Sequence, residues 1–246
     1  MISSAVQILM DEGLGVGAES ITLKRVFGYL ETNRGIRLHY ASALGRIWAD
    51  LHEFHHDVAL AIASLDMSVA ESEATMAGFL NILRKADRTT PEGRWRAVNR
   101  FCLFVGESSF NDLVESPAWP IWVSVWAVSA ANPNQSEPDL IREALTKSYD
   151  SLTSNLEFAL NWAMGLLGLR AKAPLTTSQL STAVSALAEG CGLRDRLRRG
   201  DIRDIKLPTG TKGRREYWTL FGVGLEALCT HFLEEIPGWE PSPLGF

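Results

Sequence analysis

Along this chain apolar side chains recur at helical intervals, and no run alternates for long. Leu23, Val26, Phe27 and Leu30 fall at i, i+3, i+4 and i+7, one face of a helix, and Thr22 just ahead is a candidate N-cap. Ala5, Ile8 and Leu9 predict a short first helix, stopped by Gly13-Leu14-Gly15-Val16-Gly17. Thr32, Asn33 and Gly35 break the second helix, and a third segment is expected from about His39 to Trp48. A longer helix should follow Asp50 and run to about Leu65, with another through Phe79, Leu80, Ile82 and Leu83.

Arg94 to Val114 reads as a long helix opening just after Pro91, and a tryptophan-rich helix follows Pro117-Ala118-Trp119-Pro120. Asn132 to Pro138 is an expected loop, with Ser136 as N-cap and Asp139 at N3 of a helix to about Leu169. Thr176 and Gln179 predict a second capping box, for a helix to about Leu197. Arg198 to Arg215, with Pro208, Gly210 and Gly213, reads as a loop, and a last helix should span about Glu216 to Ile236. No run is convincing as a strand, so the expected class is all-α.

Composition narrows the setting. The chain has 246 residues, 46% hydrophobic and 22% charged, ordinary for a globular protein. The most apolar run, Trp119 to Ala131, is roughly a dozen residues and carries Pro120, Ser124 and Ser129, so it reads as buried helix, and no membrane span is expected. Asp11-Glu12 and the glycines interrupt the N-terminus before an apolar signal segment could form. Cys102, Cys191 and Cys229 are odd in number and set in apolar surroundings, which favours a reducing, cytoplasmic setting. The net charge of −5 argues against indiscriminate coating of nucleic acid, yet Lys24 to Trp48 holds Lys24, Arg25, Arg34, Arg37 and Arg46 against Glu31 alone.

Three short helices in the first fifty residues, the last two joined by a tight break, match a helix-turn-helix plan. Leu38, Ala43 and Ile47 would face inward, and Tyr40, Ser42, Leu44 and Arg46 outward toward a major groove.

The stretch ITLKRVFGYLETNRGIRLHYASALGRIWADLHEFHHDV (residues 21–58) resembles the DNA-binding region of TetR-family regulators, especially an actinobacterial branch with "GLGVG", "RVF" and "RIW" elements. AVSALAEGCGLRDRL and EYWTLFGVGLEALCTHFLEE are similar to the two helices that form that family's dimer bundle. The resemblance implies an N-terminal helix-turn-helix domain over 1–57 and a helical effector and dimerisation domain over 58–246. It implies a non-enzymatic repressor without a cofactor, dimeric through about 177–197 and 216–236, that binds a palindromic double-stranded DNA operator and an unidentified small-molecule effector. Ser42 and Arg46 are the candidates for base edges, with Tyr40 for base or phosphate and His39 beside them; Arg46 on guanine is worth roughly 1–3 kcal/mol of discrimination. Thr22, Lys24, Arg25 and Arg37 are candidates for phosphate contacts, which position without specifying. A solvated helix face competes for Lys24 and Arg25, and a salt bridge to Asp50 competes for Arg46. Leu44 stands where the family carries an aromatic residue, and His39-Tyr40 where it carries a hydroxyl and a basic residue. A related scaffold that has lost DNA binding is therefore an alternative.

Other patterns compete with this reading. His52-Glu53-Phe54-His55-His56 fits the H-E-x-x-H zinc-protease pattern, so a helical zinc hydrolase using His52, Glu53 and His56 is the alternative from another class. The residues that extend the motif are absent, and no metal site is expected. Gly13 to Ala18 fits a permissive dinucleotide fingerprint but lacks a preceding strand. Trp119, Trp122 and Trp126 form an aromatic stripe that is either core or the wall of an effector pocket, with Phe158 and Trp162 as partners. The charged stretch Arg194 to Arg215 reads as a solvated connector in preference to a second DNA site.

Overall fold

Helix follows helix along most of the chain, as the apolar spacing requires. The structure is a computed structural model that describes residues 1–13, 21–39, 46–65, 73–131, 139–208 and 214–243, with the backbone alone at 73 and 74. Among these are nine α-helices: α1 (Ile2–Glu12), α2 (Leu23–Arg34), α3 (Leu51–Ala63), α4 (Glu73–Lys85), α5 (Pro91–Glu115), α6 (Ala118–Ala131), α7 (Leu140–Leu166), α8 (Thr177–Leu197) and α9 (Leu220–Phe232). The all-α expectation holds in the main, with one correction. Four short strands are present: β1 (Leu169–Ala171), β2 (Ile205–Pro208), β3 (Arg215–Trp218) and β4 (Leu233–Glu235). They pair antiparallel as β1 with β4 and β2 with β3. The predicted loop over Arg198 to Arg215 thus holds a 3₁₀ turn and strand β2, and the predicted last helix is trimmed at both ends by β3 and β4.

The caps follow the local chemistry. Thr22 Oγ1 accepts the Arg25 N–H, and α2 ends at Gly35 in the left-handed region (φ 64), where the Ile36 N–H reaches back to the Leu30 carbonyl. Both halves of the Thr176–Gln179 capping box form. Asp139, expected at the third helical position, instead precedes the first residue of α7 and accepts the Arg142 N–H; Ser136 lies outside the described residues.

The chain divides into two compact units. The first comprises Met1–Met67 and Ser116–Asp150, and the second Ser68–Glu115 and Ser151–Phe246. The boundary expected near residue 57 falls inside α3. In the first unit α1 packs against α2, α3 and α6, and α3 against α6. Ile8, Leu9, Leu23, Val26, Leu30, Phe54, Val58 and Ile62 are buried there, each worth about 1.5–3 kcal/mol for full burial. In the second unit α5 packs against α4, α8 and α9, and α8 against α9.

Helices α5 and α9 cross closely at two glycines. A Cβ on Gly106 would lie 2.7 Å from Gly222 Cα, and one on Gly222 would lie 3.1 Å from the Cys102 carbonyl oxygen. Thr219 Oγ1 donates to the Gly106 carbonyl at 3.0 Å and accepts the Gly222 N–H at 3.0 Å, fastening the start of α9 to α5. Farther along, Cys102 and Cys229 meet with their sulfurs 4.0 Å apart. The hydrogen bond between them, with burial, holds the Cys102 thiol well above its usual range.

Partly buried ion pairs complete this unit. Asp195, its side chain 4% exposed, takes Arg203 through two bonds of 2.6 and 2.8 Å, and Arg203 also donates to Asn111 Oδ1 at 2.7 Å. Arg94 and Trp95 on α5 both donate to Glu235 on β4. Arg100 Nη1 donates to both carboxylate oxygens of Glu216 on β3, at 3.0 and 2.7 Å. Burial, and then the charge of Glu216, push the Glu107 carboxyl upward.

Candidate nucleic-acid interface

The exposed cations of the first unit begin at α2. Its inward face, Leu23, Val26 and Leu30, is buried, which leaves Lys24, Arg25 and Arg34 on the surface. Gly35 then turns the chain, and residues 35–39 are exposed throughout, Arg37 and His39 among them. Arg46 is exposed in a turn ahead of α3. All five basic residues of this stretch face solvent, as a phosphate-contacting surface requires.

Their intramolecular partners differ. Arg25 forms an ion pair with Glu12 on α1, and Arg37 forms one with Glu31 at 2.6 Å. Both pairs are exposed, so each is worth at most about 1 kcal/mol and yields readily to a competing anion. Thr22 is occupied as the cap of α2. Arg46 and Asp50 do not pair; the Asp50 carboxylate accepts the Glu53 N–H and caps α3.

The expected third segment, His39 to Trp48, is described only at its edges. Tyr40 and Ser42, with Ala43 and Leu44, lie outside the described residues. Arg46 and Ile47 form a turn, not helix. The expected inward face is corrected here: Leu38 is 36% exposed and Ile47 54% exposed. Trp48 takes the core position instead, packed edge-on against Phe54 at 4.9 Å, with its indole N–H donating to Asp57 at 2.8 Å. An indole offers more apolar area than Ile47 and needs one acceptor, which Asp57 supplies.

The H-E-x-x-H residues are placed by the start of α3. Glu53 Oε2 accepts the Ala49 N–H at 2.5 Å, so its carboxylate reaches back over the helix end. His52 is exposed, His56 is half-buried beside Asp57, and His55, between them, meets the Ile21 carbonyl at 2.9 Å. No group of three or more His, Cys, Asp or Glu side chains is placed to hold a metal among the described residues.

The aromatic candidates separate. Trp119 and Trp122 are buried in the first unit, and Trp122 lies parallel to Tyr149, with centroids 6.4 Å apart. Trp126 is exposed and lines a cleft of about 270 Å³ between α6 and α7, with Arg142, Leu145 and Tyr149. Arg142 donates there to the Ser129 carbonyl. Phe158 and Trp162 belong to the second unit: Phe158 is 73% exposed, and Trp162 packs on Phe79 at 5.4 Å. Sequence reasoning missed Tyr149, because a lone tyrosine in a long amphipathic helix carries no signal of the cleft beside it. No helix among the described residues is long and apolar enough to cross a membrane. Compared with known proteins, the chain matches no family model, no curated protein and no solved structure.

Proposed function

We propose that this protein is a ligand-responsive, sequence-specific DNA-binding regulator that acts as a homodimer on a palindromic operator, as a repressor. The observation that carries the reading is the solvent exposure of Lys24, Arg25, Arg34, Arg37 and Arg46, all close in sequence within the N-terminal helical unit of an acidic chain. Exposed ion pairs such as Arg25–Glu12 and Arg37–Glu31 are suited to exchange for phosphate. The resemblance of residues 21–58 to TetR-type readers adds the expectation that Ser42 and Arg46 address base edges, Tyr40 a base or a phosphate, and Lys24, Arg25 and Arg37 the backbone.

Dimerisation through α8 and α9 is supported by exposed small and apolar side chains, Ala186, Leu193 and Leu197 on α8 and Leu220 and Ala227 on α9. A small amphipathic effector suits the cleft beside Trp126 and Tyr149, and it would act only through different affinities for the DNA-competent and incompetent states. A mobility-shift titration with DNA flanking the protein's own gene, at several salt concentrations, tests the reading. Saturable binding that weakens steeply with salt, with a preference for flanking over unrelated DNA that is lost in Arg46→Ala, is expected. Equal binding to flanking and unrelated DNA would overturn it.

A further inference from the structure

Arg194 to Arg215 carries nine basic residues against Asp195, Asp201 and Asp204, a local charge of +6 in a chain of net charge −5. The hairpin β2–β3 sorts the charges at its end of this stretch onto faces. Ile205, Leu207, Glu216 and Trp218 are buried or half-buried, and they alternate with exposed Lys206, Pro208, Arg215 and Tyr217. In the antiparallel register Lys206 stands opposite Tyr217 and Pro208 opposite Arg215, so these four share the outer face. The Lys206 ammonium sits 5.0 Å from the Tyr217 ring centre, and Tyr217 remains 52% exposed.

Several cations of the stretch are held internally: Arg203 by Asp195, Arg199 by Glu115 and Arg214 by Glu216. Lys206 and Arg215 form no ion pair among the described residues, and Arg194 and Arg198 at the end of α8 are likewise exposed. The inner face is anchored by buried Trp218 and by the Arg100–Glu216 pair, so the outer face is presented on an ordered ribbon. A two-stranded ribbon has the dimensions to lie along a nucleic-acid groove.

We propose that the outer face of this hairpin contacts the sugar-phosphate backbone of duplex DNA, with Lys206 and Arg215 on phosphates and Tyr217 lending its hydroxyl and ring. Cations interleaved with one aromatic side chain suit a polyanion that also offers sugar and base surface. A bilayer surface would call for long aliphatic side chains to insert, and the only aliphatic group on this face is the short ring of Pro208. The contact carries no sequence information, and it stands independently of any operator reading by the N-terminal unit.

The test is a fluorescence-anisotropy titration of full-length protein against a random-sequence duplex across a salt series. Wild type is compared with K206E/R215E, the neutral K206Q/R215Q and the conservative K206R/R215K. K206E/R215E is expected to bind about tenfold more weakly, and losing two phosphate contacts should flatten the log–log salt slope by about 2. K206Q/R215Q should fall between, and K206R/R215K should match wild type. Circular dichroism of each variant separates lost contact from lost fold. Unchanged affinity and slope in a folded K206E/R215E overturn the proposal, as does wild type binding anionic phosphatidylserine vesicles but no duplex. An Arg46→Ala control distinguishes the two readings: it should abolish preference for a flanking operator and leave the hairpin-dependent, sequence-independent binding in place.

Discussion

The two units use charge in opposite ways. In the first, Arg25–Glu12 and Arg37–Glu31 are exposed pairs, and Lys24, Arg34 and Arg46 stand at the surface. In the second, Arg94–Glu235 and Arg100–Glu216 tie segments distant in sequence and Arg203–Asp195 closes a short span, and in each pair at least one side chain is largely withdrawn from water. Desolvated pairs of this kind are costly to break, because the surviving partner is left charged and buried. Exposed pairs cost little to break. The contrast separates charge that holds the fold from charge that is available to a partner; within the second unit the exposed pairs Arg170–Glu234 and Arg199–Glu115 and the outer face of the β2–β3 hairpin belong to the available class.

The largest expected effect attacks a structural charge. Asp195→Ala leaves Arg203 without its bidentate partner and should cost about 3 kcal/mol in urea unfolding. Next, Gly106→Val places a side chain against the backbone of α9, and roughly 2–3 kcal/mol should be lost as the helices separate. Thr22→Ala removes the cap of α2 and should cost about 1 kcal/mol. Arg37→Ala, in the exposed class, should change stability by less than about 0.5 kcal/mol while weakening DNA binding. A stability loss for Arg37→Ala as large as that for Asp195→Ala would erase the distinction between the units.

The smallest expected effect depends on pH. Burial and Glu216 raise the Glu107 carboxyl, so the folded chain holds this proton more tightly than the unfolded chain. Stability from that site is present at low pH and is lost as pH rises through the raised folded value. Glu107→Gln should therefore be the more stable form at neutral pH, and its advantage should vanish under acid conditions where Glu107 is protonated in both states. Paired thermal melts at the two pH values check this.

Local signals explain what could be read in advance. The Thr176–Gln179 box, the Thr22 cap, the Gly35 stop and the inward face of α2 are each set within a few residues, and each is present. The strands were illegible for the opposite reason. Leu169–Ala171 pairs with Leu233–Glu235 far along the chain, and three residues give no periodicity to detect. Trp48 displaced Ile47 from the core because Asp57 satisfies its indole nitrogen, a contact across nine residues that no spacing rule reports. Likewise the basic run after α8 looked like a solvated connector until pairing of β2 with β3 put Lys206 and Arg215 on one face. Of the candidate interface, the composition was legible, and the tying of Arg25 and Arg37 into ion pairs was not.

The central claim is that the N-terminal unit reads DNA sequence, and selection from a random duplex library by the full-length protein tests it most directly. Successive rounds should enrich a two-fold symmetric motif with half-sites about one helical turn apart. Arg46→Ala should fail to enrich that motif. A library that stays random through selection, with wild type still binding duplex at low salt, would contradict the claim.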